Sequence, residues 1–204
     1  PTLLFLSRCL QEFRRKFPNV KLRIVHGIFP VTIPELREGK LDFAVTPRSD
    51  HDIGDDFIVE KLLDNVRVPI CRKTHPLANA RSLAELTPAL WLAASIDADP
   101  KAAFERIFLQ RGLQPPAQVI YCESTISVVE LLRNMDAICW LPSAWLQSDI
   151  MNPWLTAIPI KEPAQKGQDI CLIRRRNFPL TPAADYLSTL FMRFCAYRSN
   201  PPPM

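Results

Sequence analysis

The sequence predicts an α/β protein in which strands and helices alternate along the chain. Between Phe13 and Thr46 the residue pattern predicts a helix, a strand, a second helix and a second strand. The same alternation returns between residues 90 and 141. Repeated strand–helix–strand units are typical of doubly wound folds, in which helices cover both faces of a largely parallel sheet. We therefore expect a doubly wound α/β architecture.

The first helix is predicted from the spacing of its apolar residues. Intervals of four, three and four residues place four of them on one helical face: Leu6, Leu10, Phe13 and Phe17. Such a stripe packs against a core. Pro18 ends the helix, because the residue before a proline is disfavoured in the α region.

The next three elements are predicted from alternation and from one glycine. Residues 21–26 alternate basic and apolar side chains and predict a strand. Residues 30–38 predict a short helix that ends at Gly39, where the absence of a Cβ permits a left-handed cap. Residues 41–46 are mostly apolar, which is typical of a strand inside a parallel sheet.

The later elements are also predicted from capping residues and prolines. Ser124 and Thr125 are both suitable N-caps for the helix that continues through Arg133. Thr181 and Pro182 predict the start of the last helix, with proline at its first position. Further strands are expected at residues 58–63, 66–71, 90–93, 119–122, 137–141, 155–160 and 170–174, and further helices at 101–111 and 143–146.

Two breaks in the pattern predict a division into two lobes. They lie at residues 72–76 and at the Pro, Lys and Gly-rich stretch 163–167. The first lobe would consist of residues 1–72 plus 166–204, and residues 73–165 would form an inserted second lobe. In such folds ligands bind beyond the carboxyl ends of the strands, so a cleft between the lobes is the expected small-molecule site.

Composition excludes several classes of protein. Among 204 residues no apolar run approaches the roughly 20 residues that a membrane helix needs. Arg8 and Glu12 interrupt the apolar opening, so no secretion signal is expected there. Only 5 glycines accompany 20 prolines, which argues against glycine-rich phosphate-binding loops. The net charge of +4 permits attraction to anions without identifying a nucleic-acid binder.

The six cysteines predict buried thiols in a reducing compartment. They form no C-x-x-C motif, and no Cys/His group has the spacing of metal ligands. A buried free thiol behaves as a small hydrophobic side chain. The expected localisation is therefore cytoplasmic, with no metal and no cofactor. A peroxide-sensing thiol pair remains the alternative.

Catalysis is not predicted. The sequence contains no G-x-S-x-G, no H-E-x-x-H and no P-loop. The three histidines are scattered over a strand end and loops, where solvated or capping roles are expected: His26, His51 and His75. Asp97 and Asp99, on a polar loop, are expected to be solvated, as is the basic run at residues 174–176.

An ordered set of short motifs resembles one family. Phe-Arg-Arg-Lys-Phe-Pro-Asn-Val at residues 13–20 precedes Leu-Arg-Glu-Gly-Lys-Leu-Asp-Phe-Ala-Val at 36–45. Thr-His-Pro-Leu at 74–77, Ile-x-x-Leu-Pro at 138–142 and Thr-Pro-Ala-Ala at 181–184 follow in order. Together they resemble the effector-binding domain of LysR-type transcription regulators over essentially the whole chain.

The resemblance implies a fold, a site and partners. The fold would consist of two Rossmann-like lobes of the periplasmic-binding-protein type, joined by two crossover strands. The ligand would be a small organic anion, such as an aromatic carboxylate or sulfonate, and the protein would form a homodimer or tetramer. By position in the family pattern, the effector contacts would be Thr2, Ile28, Phe29, Thr46, Pro47, Ser95, Pro100, Ser124 and Thr125.

Structural roles remain open for several of these residues. Ser124 and Thr125 are suited equally to capping a helix and to binding an anion at its start. Thr46 fits an ordinary turn residue as well as a ligand contact. Phe29 fits core packing as well as an aromatic wall.

The chain also departs from the family pattern. No segment matches the winged helix-turn-helix, the linker helix or the first strand of the effector domain, so promoter DNA would be bound only through a region outside these residues. The predicted function is ligand sensing by a cytoplasmic bacterial regulator. A solute-binding protein of a transporter is the alternative, and an enzyme with a cleft active site is a third hypothesis.

Overall fold

A computed structural model of the chain describes residues 2–25, 32–48, 53–94 and 99–199. These residues divide into two compact units, Pro1–Asn65 with Gly167–Met204, and Val66–Lys166. The described α-helices are α1 (Thr2–Lys16), α2 (Thr32–Arg37), α3 (Leu83–Leu86), α4 (Pro100–Leu109), α5 (Thr125–Asn134) and α6 (Pro182–Ser199). The short helix expected at residues 143–146 is a 3₁₀ helix, Ser143–Gln147. The described strands are β1 (Phe43–Pro47), β2 (Phe57–Leu63), β3 (Val66–Arg72), β4 (Leu90–Ala93), β5 (Val119–Tyr121), β6 (Ala137–Pro142), β7 (Leu155–Ala157), β8 (Gln165–Lys166) and β9 (Ile170–Arg175).

The first unit contains a three-stranded antiparallel sheet in the order β1-β9-β2. Helices α1 and α6 pack on one face around Phe13, Leu172 and Leu190, which are almost fully buried. Helix α2 packs on the other face through Leu36, against Ala44 and neighbouring residues. The sheet is therefore covered on both faces, as expected for an α/β unit.

Several predicted elements are confirmed in this unit. Helix α1 buries Phe13 completely and ends at Lys16, shortly before Pro18. Helix α2 ends where Gly39 adopts a φ of 73°, a backbone conformation that suits glycine. The last helix begins at Pro182, and the Ala184 amide donates to Thr181 Oγ1 at 3.3 Å.

One strand prediction for this unit is wrong, and a second is right about the strand but wrong about its parallel pairing. Residues 21–25 belong to no strand of the described part of the chain, and His26 lies outside it. Of these five residues only Leu22 is half-buried, and the apolar Ile24 and Val25 are exposed together with the basic Lys21 and Arg23. Strand β1 does form at Phe43–Pro47, but it pairs antiparallel with β9 and has no parallel neighbour among the described strands. The pairing partner is supplied by residues far along the chain, which local alternation cannot reveal.

The second unit contains a mixed sheet in the order β5-β4-β6-β3-β7. Strands β5, β4 and β6 are parallel, whereas β3 pairs antiparallel with β6 and β7. Trp91 is fully buried among the rings of Phe104, Phe108 and Trp140. Helix α5 packs through Val128 and Leu132.

The division between the units falls after Asn65 and after Lys166. The sequence placed the first crossover at residues 72–76, whereas β3 already belongs to the second unit. Strand β8 pairs with the start of β3, through Lys166 opposite Val66. Within the first unit, the Gly167 amide donates to the Asn65 carbonyl at 2.7 Å.

Candidate functional site

The amino end of α5 is the best-defined candidate site in the second unit. Ser124 is its N-cap, with an extended backbone and an Oγ that accepts from the Ser127 amide at 3.3 Å. Ser124 is exposed and Thr125 is half-buried. A helix start carries partial positive charge and outward-facing amides, so it attracts anions. The capping role of Ser124 is thus established, and its hydroxyl proton remains able to donate outward.

The neighbouring helix α4 begins at the same edge of the sheet. Strands β4 and β5 are parallel, with Ala93 opposite Tyr121, so the helices that follow them start side by side. Pro100 is the first residue of α4 and has no amide to donate. Asp99 caps this helix, and its Oδ1 accepts from the Ala102 amide at 2.9 Å. Asp99 thus brings a negative charge to this helix start.

Arg67 brings a positive charge to this edge, and sequence reasoning missed it. Its guanidinium donates to the carbonyls of Ala94 at 3.0 Å and Trp140 at 2.6 Å. These carbonyls lie at the carboxyl ends of β4 and β6. The signal was an arginine between two valines in the strand Val66–Arg72, because a charged residue at such a position needs specific partners.

In the first unit, Thr46 lies near the end of β1. The residue is only 3% exposed, and its Oγ1 has no hydrogen-bond partner among the described residues. Thr46 is opposite Cys171 on β9, and Pro47 is opposite Ile170. Thr46 is therefore a buried strand residue and not a turn residue, and its hydroxyl lacks the partner that buried polar groups normally have.

The other predicted contacts fall into two groups. Thr2 is the first residue of α1. Ile28, Phe29 and Ser95 lie outside the described residues. Each unit thus supplies part of the predicted set, with Thr46 and Pro47 in the first and Pro100, Ser124 and Thr125 in the second.

The cysteines are mostly inert thiols. Five of the six are buried, Cys122 is half-buried, and none of the six is in a disulfide. Burial raises the pKa of Cys9, Cys71 and Cys139 to about 12, so these thiols do not form the reactive thiolate near neutral pH. These findings favour the structural role over a peroxide-sensing pair.

The remaining polar candidates have structural partners. His75 is buried, and its Nδ1 accepts a hydrogen bond from the Leu77 amide at 2.9 Å. The expected capping role is therefore confirmed, and the expectation of a solvated side chain is wrong. His26, His51 and Asp97 lie outside the described residues.

The basic run on β9 is also engaged within the unit. Arg174 lies 3.5 Å from Glu60, Arg175 stacks on the Phe178 ring at 4.4 Å, and Arg176 donates to the Asp55 carbonyl at 2.8 Å. The arginines are therefore not a simple solvated face.

Two further properties concern the described ranges only. Within them, no three His, Cys, Asp or Glu side chains cluster so as to hold a metal ion. None of the helices in those ranges combines the length and apolar character that a bilayer crossing requires.

Comparison with solved structures shows the fold. The effector-binding domain of QuiR in complex with shikimate superposes with a TM-score of 0.68 at 19% identity, covering 94% of this chain and 90% of that one. The effector-binding domain of BenM with benzoate gives a TM-score of 0.70 at 18% identity, covering 98% and 90%. The expected α/β fold of two lobes, of the periplasmic-binding-protein type, is thereby confirmed.

Curated relatives are similar at the level of sequence. The HTH-type transcriptional regulator GalR of Pseudomonas putida is 24% identical over 180 residues, which are 88% of this chain and 45% of that protein. TdcA of Escherichia coli, a regulator of the same type, is 21% identical over 193 residues, or 95% and 61%. The chain thus spans about half the length of these relatives. The family model for the LysR substrate binding domain matches residues 1–196, and the chain therefore belongs to this family.

Proposed function

We propose that the chain is the effector-sensing and oligomerisation domain of a bacterial LysR-type transcription regulator that responds to a small organic anion. Two structural neighbours contain shikimate and benzoate, which are both carboxylates. The observation that carries the proposal is the sheet edge of the second unit, where α5 begins and where Arg67 is held.

The physical chemistry of this edge favours a carboxylate or sulfonate. The Ser127 amide donates to the Ser124 cap, whereas the earlier first-turn amides of α5 have no intrahelical partners and can donate to an anion in front of the helix. Ser124 and Thr125 would add hydroxyl donors. Arg67 contributes a full positive charge, fixed by its two carbonyl partners. Such prearranged donors bind an anion without the cost of ordering them first.

The remaining contacts are proposed from the family pattern. Thr46 and Pro47 would line the site from the first unit, together with Ile28 and Phe29, and Ser95 and Pro100 would add to it from the second. The location of the effector between the lobes remains a prediction.

Regulation would follow from linkage. An anion that binds one arrangement of the domain more tightly shifts the population of the regulator's states, and thereby its affinity for promoter DNA. DNA would be bound through a winged helix-turn-helix outside these residues, by a cytoplasmic homodimer or tetramer without catalytic activity. Because the matched curated relatives are transcription regulators, a transporter's solute-binding protein is not favoured.

A thermal-shift titration tests the anion site. Benzoate, benzenesulfonate, shikimate and sulfate would be titrated against the 204-residue chain. A ligand at about 100 times its Kd adds about 2.7 kcal/mol to the free energy of unfolding. We expect a saturable rise in Tm with one of the organic anions, and loss of that rise in Ser124→Ala/Thr125→Val and in Arg67→Met.

Thr181→Ala provides the matched control. Thr181 accepts from the amide of Ala184 at the start of α6, so its removal also costs a helix cap. This variant should lower Tm in the absence of ligand yet retain the ligand-induced shift. A shift that survives unchanged in both site variants would refute binding at α5.

A further inference from the structure

The sheet of the second unit has a topological switch point between β4 and β6. Strand β4 is followed by α4 and then by β5, which lies on one side of β4. Strand β6 is followed by the 3₁₀ helix Ser143–Gln147 and then by β7, which lies on the other side of β6, beyond β3. The two connections therefore leave neighbouring parallel strands in opposite directions. In open α/β sheets, ligands bind in the crevice at the carboxyl ends of such a pair of strands.

Arg67 lies across this switch point. Its guanidinium donates to the carbonyl of Ala94, which follows β4, and to the carbonyl of Trp140 in β6. Pro69, opposite Trp140 in the β3–β6 ladder, has no amide, so the Trp140 carbonyl depends on other donors. A positive charge is therefore held between the ends of β4 and β6. Because neighbouring strands are about 4.8 Å apart, this charge lies within roughly 10 Å of the end of β5 as well.

Two thiols connect Arg67 with the start of α5. Burial raises the pKa of the Cys139 thiol, whereas the charge of Arg67 lowers it and Cys122 raises it further. Arg67 and Cys122 are thus both within electrostatic range of Cys139. Cys122 follows β5, and its thiol donates to the carbonyl of Ser124, the N-cap of α5, at 3.5 Å. An anion at the end of β4 would therefore have Arg67 beside it and the start of α5 on its β5 side.

Ser143 lies on the opposite, β6 side of the same charge. The ladder places Arg67 opposite Pro142, and the Cβ atoms of directly opposed residues are about 5 Å apart. Ser143 follows Pro142 and is the first residue of the 3₁₀ helix. Its side chain is half-buried, and its Oγ makes no hydrogen bond to another described residue. Such a hydroxyl can donate to a ligand without breaking a bond inside the protein.

The chemistry of a serine beside a guanidinium favours an anionic ligand group. The hydroxyl donates one hydrogen bond, and a carboxylate or sulfonate oxygen that is attracted to Arg67 can accept it. Hydrogen bonds to charged groups are stronger than those between neutral groups. An acidic side chain at this position would have the reverse effect, because its carboxylate would itself be attracted to Arg67.

We infer that Ser143 is a further effector contact, which donates to the anionic group of the effector from the β6 side while α5 donates from the β5 side. The inference deepens the proposed function, on which it rests for the presence of an organic anion at this edge. All the residues that carry it belong to the second unit.

Substitutions of Ser143 test the contact. Benzoate, benzenesulfonate and shikimate would be titrated against the 204-residue chain, with Kd taken from the thermal shift. For the anion that raises Tm, we expect Ser143→Ala to weaken binding at least about fivefold, and Ser143→Asp to abolish it. Without ligand, Ser143→Ala should not lower Tm, because the hydroxyl that it removes has no internal partner. Its loss of binding would then not result from unfolding.

Two further variants separate a contact from a structural effect. Ser143→Thr keeps a hydroxyl at the same position and should bind the anion within fivefold of the native chain. Ser82→Ala is the matched control, because Ser82 is a half-buried serine of the same unit whose Oγ donates to Glu85 Oε1 at 2.8 Å. It should leave the Kd unchanged.

The outcomes distinguish this inference from the anion site at α5. Binding that Ser143→Ala weakens less than fivefold, but that Ser124→Ala/Thr125→Val abolishes, would overturn the contact and leave the proposed function in place. Equal losses in Ser143→Ala and Ser143→Thr would also overturn it. Binding that is lost in Ser143→Ala and unchanged in Ser124→Ala/Thr125→Val would retain the contact and refute the site at α5. No thermal shift with any of the anions would overturn both.

Discussion

His75 makes the stability of the second unit depend on pH. The side chain is buried, and its Nδ1 accepts a hydrogen bond from the Leu77 amide. The charges of the Asp136 and Arg72 ion pair also act on it. Burial is the main cause that lowers the pKa of His75 below its ordinary 6.5, and the Arg72 charge lowers it further, against an opposing effect of Asp136. The folded state therefore keeps the imidazole neutral at a pH where the unfolded chain protonates it.

The sign of the effect follows from proton uptake. Below pH 6.5 the unfolded state binds more protons at His75, so the free energy of unfolding falls as pH falls. Urea unfolding would measure the free energy of unfolding at pH 8 and at pH 5.5. It should fall more for the native sequence than for His75→Asn, whose Oδ1 can still accept from the Leu77 amide. One histidine can change the free energy of unfolding by at most about 1.4 kcal/mol per pH unit. Equal losses would contradict the buried, neutral histidine.

Thiol reactivity provides a second test at the residue scale. Cys122 is the only half-buried cysteine, and the other five are buried. Ellman's reagent should therefore label one thiol quickly in the native protein and all six in urea. Cys122→Ser should abolish the fast phase. Rapid labelling of further thiols without denaturant would contradict the packing of the helices around Cys9 and Cys195.

At the scale of elements, substitutions at two glycines can distinguish the cost of backbone strain from the cost of steric crowding. Gly39 has φ 73° and Gly112 has φ 68°, both in the left-handed region. A Cβ at Gly39 would lie 3.0 Å from Arg175 Nη1, whereas one at Gly112 would meet nothing within 4 Å. Arg175 is in turn stacked on Phe178, which limits its freedom to move away.

Alanine substitutions should therefore have unequal effects. Gly112→Ala should cost about 1 kcal/mol of unfolding free energy from strain alone, and Gly39→Ala should cost more. Urea denaturation of both variants measures the difference. A larger loss at Gly112 would mean that the contact with Arg175 is unimportant.

Sequence reasoning succeeded where structure is decided locally. The stripe ending at Phe17, the stop at Gly39 and the cap at Thr181 each depend on a few adjacent residues, and all three were found. The pairing of β1 with β9 was not, because it joins residues more than a hundred positions apart. The site shows the same division: Ser124 was identified by its position before a helix, whereas Arg67 acts through Ala94 and Trp140, which only the fold brings near it.

At the scale of the whole molecule, the chain pairs two differently built units. The first has a small antiparallel sheet with buried, unsatisfied hydroxyls. The second has parallel strands, one of which is followed by α5, and Arg67 on the antiparallel strand β3. Sequence motifs predicted the two-lobed fold because they occur in a fixed order. The identity of the effector is not encoded in that order.

The most direct test is the effect of the effector on promoter binding by the intact regulator. Fluorescence anisotropy would measure the affinity for promoter DNA with and without the anion that raises Tm. We predict that the anion changes the DNA affinity by about 5- to 150-fold, and that promoter DNA changes the anion affinity by the same factor. Ser124→Ala/Thr125→Val should remove this coupling, and Thr181→Ala should preserve it. Promoter binding that is identical at all anion concentrations would contradict a sensing function for this domain.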